Sequence, residues 1–152
     1  MSAGFLIFVL CAAFANGDIV TRKLCRGADP LVCRIHSVQV DPCHYGPAFC
    51  MINTNKSYGV TLDIIPQFAA DKLKLAVYAD VDNDGTFSSL IQAPVNACEL
   101  TTCPVRPEDR KTINFNLKMN KMGSGKFPVK VVVWDKENET LSCCTTFNVK
   151  VK

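Results

Sequence analysis

Residues 58–64 read Tyr58-Gly59-Val60-Thr61-Leu62-Asp63-Ile64, and every second side chain is large and apolar. Successive side chains of an extended strand point to opposite faces. This spacing therefore puts Tyr58, Val60, Leu62 and Ile64 in a core and Gly59, Thr61 and Asp63 toward water. The same period of two recurs on both sides of the stretch. Leu73, Leu75, Val77 and Ala79 alternate with Lys74, Ala76 and Tyr78. Ile113, Phe115, Leu117 and Met119 alternate with Asn114, Asn116 and Lys118. Val129, Val131 and Val133 follow, and Thr145, Phe147, Val149 and Val151 close the chain. His36, Val38 and Val40 make a less regular first strand.

Breakers separate these runs: Asp41-Pro42, Asp82-Asn83-Asp84-Gly85, Ala93-Pro94, Cys103-Pro104 and Gly123-Ser124-Gly125 read as turns or loops. A further strand is expected over 86–91. No long amphipathic helix is evident. Short alternating strands punctuated by turns predict an all-β, immunoglobulin-like antiparallel sandwich, with the apolar sets of two sheets facing each other.

The chain has 152 residues and a formal charge of +3, which suits one domain and contains no basic run of the kind that binds nucleic acid. Residues 4–15 (GFLIFVLCAAFA) are uncharged and apolar, too short to span a bilayer, and end in Ala13-Phe14-Ala15. They read as a cleaved signal peptide, 1–15, ahead of a single domain, 16–152. Of the nine cysteines, Cys11 leaves with that segment. The remaining eight are even in number, which fits disulfides in a secreted protein, or in the lumen of an endolysosome. Asn55-Lys56-Ser57 and Asn138-Glu139-Thr140 are candidate glycosylation sequons.

Catalytic patterns are thin. The chain holds two histidines, His36 and His44, and neither HExxH nor a nucleophile elbow. An enzyme is not expected, and neither is a cofactor or metal. Cys43/Cys50 and Cys98/Cys103 lack the close paired spacing of a zinc site and read as disulfide staples. Asp80-x-Asp82-x-Asp84-Gly85 copies the first half of a calcium loop. Its twelfth position is Ile91 instead of glutamate, and a polar hairpin tip explains the same letters. Arg106, Arg110 and Lys111 form one basic cluster and Lys118, Lys121 and Lys126 another. Each is a solvated face or a contact for anionic headgroups.

The cysteine frame resembles a known family. Cys25 is followed by Ile35-x-x-Val38-x-Val40-x-Pro42-Cys43, six residues and Cys50, then Tyr58-x-Val60-x-Leu62. Later come Asn96-Ala97-Cys98, four residues, Cys103-Pro104, the strand Lys130-Val131-Val132-Val133-Trp134, and cysteine before the last strand. This is similar to the myeloid-differentiation-2-related lipid-recognition (ML) domain, in particular to its Niemann–Pick type C protein two branch and the mite group 2 allergens. The resemblance implies a sandwich whose sheets part around a sterol, fatty acid or other apolar molecule, such as a semiochemical. It implies a secreted, monomeric carrier. An alternative is an innate-immune module that senses glycolipid or contacts a receptor or membrane surface. A structural domain with a filled core is the third reading.

The resemblance also implies bridges Cys43–Cys50 and Cys98–Cys103, and one from Cys25 to Cys143 or Cys144. Strand parity favours Cys25–Cys144, leaving Cys33–Cys143 as a bridge beyond the six-cysteine pattern, while spacing from the preceding strand favours Cys143 as the partner of Cys25. The family's pocket positions fall on Leu90, Met119 and Phe127. With them, Leu62, Ile64, Leu75, Val77, Phe87, Ile91, Phe115, Leu117, Val129, Val131 and Val133 are the expected cavity lining. Met122 is a further apolar candidate, and Lys118, Lys121 and Lys126 are candidates at the mouth.

Overall fold

The computed structural model describes residues 17–44, 48–120 and 123–152. The segment read as a signal peptide, Lys121 and Met122 lie outside them. Ten strands are described: β1 (Asp18–Ile19), β2 (Arg22–Leu24), β3 (Cys33–Asp41), β4 (Cys50–Ile52), β5 (Ser57–Pro66), β6 (Leu73–Ala79), β7 (Ser89–Asn96), β8 (Lys111–Lys118), β9 (Gly125–Asp135) and β10 (Asn138–Val151). A single 3-10 turn, Ala97–Glu99, is the helical element among them.

The strands form two sheets. One runs β1-β3-β5-β8, the other β2-β10-β9-β6-β7, with β4 pairing parallel to the end of β10. The remaining pairings are antiparallel. The alternating apolar sets face one another across the sandwich. From the first sheet come Val38, Val40, Val60, Leu62, Ile64, Ile113 and Leu117; from the second, Leu73, Leu75, Val77, Val129, Val131, Val133, Phe147 and Val149. Each is essentially inaccessible to water. Burial of two facing apolar surfaces drives the pairing, at roughly 25 cal/mol per Å² removed from water.

Departures from simple alternation have local causes. In β3 the register against β5 slips between Ile35 and Ser37. The extra residue lets Ile35, Val38 and Val40 all point inward, although 35 and 38 differ in parity. In β7 the register against β6 slips twice. Ala93-Pro94 is therefore not a turn but part of β7. That strand is a sheet edge, where a residue without an N–H is tolerated. The strand expected over 86–91 begins only at Ser89.

One polar clamp joins the 99–110 connection to the first sheet. Arg110 Nε donates to both oxygens of Asp63, at 3.0 and 3.1 Å, and a terminal nitrogen adds a third bond. Asp63 is on the outer side of β5, and its hydrogen bond and charge raise the Arg110 pKa above its ordinary value. Nearby, Arg34 pairs with Glu108 at 2.7 Å, and Ala70 and Val105 form an isolated bridge.

Candidate functional site

The apolar interior between the sheets is the strongest candidate for a binding site. Leu62, Ile64, Phe115, Leu117 and Met119 come from one wall; Leu75, Val77, Phe127, Val129, Val131 and Val133 from the other. These eleven of the fourteen expected lining residues belong to one contiguous buried cluster, and Ile91 packs on it, half-buried. Met119 and Phe127 lie toward one end, where β8 ends and β9 begins. Met is unbranched and adapts to irregular shapes, and Met119 is fully buried there.

Two expected lining residues are elsewhere. Leu90 stands opposite Tyr78 on the outer side of the sheet and is 52% exposed. The slip between the Tyr78 and Val77 pairs turns Ile91 toward the core in its place. Phe87 precedes β7 and also lies outside the sandwich, its ring 4.7 Å from the Lys130 ammonium. Neither lines the inter-sheet space. Of the lysines expected at a mouth, Lys118 is exposed at the end of β8, while Lys126 sits over the Phe49 ring at 4.9 Å.

Disulfides distribute unevenly around this space. Cys25–Cys144, Cys33–Cys143, Cys43–Cys50 and Cys98–Cys103 are bonded. Cys143 points inward and reaches across the sandwich to Cys33 on β3; its neighbour Cys144 joins Cys25 just past β2, within its own sheet. Three of the bridges gather at the end where β6 and β8 begin. There the Cys98 sulfur accepts the Leu73 N–H at 3.3 Å. At the opposite end Cys43–Cys50 secures the β4 side. The corner at that end between the start of β7 and the end of β8 carries no bridge among the described residues.

The acidic 80–85 segment is a turn. Asp80 is buried, and its two carboxylate oxygens accept the N–H groups of Asp84 and Gly85 at 3.1 and 2.9 Å. Asp84 accepts from Thr86 N at 2.8 Å. Asn83 and Gly85 take the left-handed backbone that the tight reversal requires. Among the described residues no group of three or more His, Cys, Asp or Glu side chains is arranged to hold a metal ion. His36 and His44 are both exposed.

Fold and site together define a disulfide-stapled, two-sheet β-sandwich with a continuous apolar interior. The chain belongs to the ML domain family, whose model matches residues 20–151. It is similar to an MD-2-related lipid-recognition protein of Manduca sexta, 26% identical over 129 residues, which make up 84% of this chain and 82% of the relative. Two solved structures share the fold. A Niemann–Pick type C2 protein from the Japanese carpenter ant gives a TM-score of 0.64 at 14% identity, covering 87% of this chain and 99% of its own. Chicken MD-1, crystallised with lipid IVa, gives 0.57 at 13% identity, covering 88% and 95%.

Proposed function

We propose that this protein is a secreted carrier that takes one apolar small molecule, a fatty acid or sterol, between its two sheets. The observation that carries the reading is the asymmetric stapling of a continuous apolar core. A sandwich meant only to be rigid gains from bridges at both ends and both edges. Here the β7/β8 corner carries no bridge among the described residues, and the reading places the parting of the sheets there, with the stapled end as the hinge. The family membership and the lipid-recognition relative support the same reading.

A guest in this space contacts aliphatic and aromatic side chains, and its affinity comes from the area it removes from water. Burying about 300 Å² of ligand surface contributes roughly 7 kcal/mol before the costs of association and of opening the sheets. Net micromolar binding, roughly 8 kcal/mol, therefore needs a larger buried area than this, as a long acyl chain or a whole sterol supplies. A carboxylate or hydroxyl would remain at the mouth, beside the ammonium of Lys118. The protein's role is to shield and release; no step of bond chemistry is assigned to it.

Titration of the full chain with a fluorescent fatty acid and a fluorescent sterol tests the reading. Saturable, displaceable binding of at least one at micromolar concentration is expected. Failure of both to bind displaceably would overturn it.

A further inference from the structure

We propose that the outer face of the six-stranded sheet carries a second binding site, for a free small organic anion: a carboxylate, sulfonate or phosphate group on an apolar ring. A concavity of about 740 Å³ lies there, outside the sandwich. That volume is within the range of small-molecule sites, roughly 300–1,000 Å³, and far exceeds what a bare inorganic anion fills.

Strand register builds its floor. Lys23 on β2 stands opposite Thr146 on β10, and Thr146 stands opposite Lys130 on β9. All three side chains project from the same outer face. Two strand spacings separate the lysines, about 10 Å, with the Thr146 hydroxyl between them. Backbone register thus sets one lysine on each side of Thr146, and the Lys130 ammonium extends toward the Phe87 wall, so an anion between Thr146 and Phe87 meets a cationic floor. Asn148, two residues along β10, adds a second polar group to the floor.

Charge in the concavity is unbalanced. Lys23, Arg26 and Lys130 line it, and among the described residues none of them makes a salt bridge. Asp80 is the sole carboxylate in the lining, and both its oxygens are engaged by the N–H groups of its own turn. Lys130 is also held in place. Its ammonium lies 5.1 Å from the Tyr78 ring and 4.7 Å from the Phe87 ring, two favourable cation–π contacts. Phe87 adds an apolar wall beside that ammonium. An apolar ring beside a cationic, hydroxyl-bearing floor matches an anion attached to a ring.

The test uses the isotopically labelled full chain and naphthalene-1-sulfonate, with the inter-sheet space first saturated by fatty acid. The expected result is saturable movement of the Lys23, Thr146, Asn148 and Lys130 amide signals. Binding should weaken with added salt and fall roughly tenfold or more in the Lys23→Glu/Lys130→Glu variant, because both substitutions reverse a charge in the lining. The variant's remaining amide signals report that it is folded, and the salt series on the unaltered chain is independent of its folding. Undiminished binding in the variant would overturn the proposal. So would signal changes confined to Leu75, Val131 and other inter-sheet residues. Adsorption to phosphatidylserine vesicles without binding of the soluble sulfonate would assign the face to a membrane surface and overturn it equally. Loss of fatty-acid binding alone bears on the carrier reading and leaves this site untouched.

Discussion

Cys33 on β3 and Cys143 on β10 join the two sheets of the sandwich, with their Cα atoms 5.2 Å apart. The adjacent pair, Cys25 and Cys144, closes almost the same long loop, spanning 119 residues against 110. Two nested bridges do not contribute independently. With one intact, the other closes only a ring of about ten residues, worth roughly 2–3 kcal/mol on the chain-entropy estimate. Replacing Cys33 and Cys143 together by Ala should lower unfolding free energy by about that amount, plus a small cavity cost. Removing all four cysteines should cost about 7 kcal/mol or more and abolish folding at body temperature. Denaturant titration of the two variants checks both values.

Parity explains why this pairing was partly legible in the sequence. Phe147, Val149 and Val151 set the inward positions of β10, and odd numbering carries that face back to Cys143. Cys144 is left on the other face, beside β2. The alternation in β5, β6, β8, β9 and β10 was equally readable, because each presents one face to the core and one to water. Irregular edge strands were not readable. The two slips in β7 move Leu90 outward and place Pro94 inside a strand, and no periodic signal marks a bulge. The outer concavity was invisible for another reason. Lys23, Lys130 and Thr146 come together only through the order of β2, β10 and β9 in the sheet.

Leu90 and Phe115 differ sharply in environment, though both were expected to touch ligand. Leu90→Ala should change stability by less than about 0.5 kcal/mol and leave fatty-acid affinity unaltered. Phe115→Ala should cost about 3–5 kcal/mol and weaken binding. Thermal unfolding and ligand titration on the same samples separate the two.

The Arg110–Asp63 clamp holds the 99–110 connection on β5. Because the Arg110 pKa is raised, its contribution is fully present at any pH below the ordinary arginine value and is lost only as pH rises through the still higher folded value. Arg110→Ala should therefore speed amide exchange at residues 105–109 equally at pH 5 and pH 8, while β9 and β10 exchange unchanged. Hydrogen exchange followed by mass spectrometry reads this directly.

Asn138 opens β10 at the exposed tip of the β9–β10 hairpin, and its Oδ1 accepts the Thr140 hydroxyl at 2.6 Å. Asn55 lies exposed in a left-handed turn before β5. Protein made through a eukaryotic secretory route should carry glycan at Asn138. A mass loss on enzymatic deglycosylation that disappears in Thr140→Ala is the expected outcome; an unchanged mass would contradict it.

The central claim is that ligand lies between the sheets. A fatty acid bearing a photoreactive diazirine on its chain, cross-linked to the intact protein and mapped by peptide mass spectrometry, tests it most directly. Labels on inward residues such as Leu75, Phe115, Met119 and Val131, suppressed by excess unlabelled fatty acid, are the result the account predicts. Labels restricted to outward residues such as Leu90, Phe87 and Lys130, or labelling that excess fatty acid does not suppress, would contradict it.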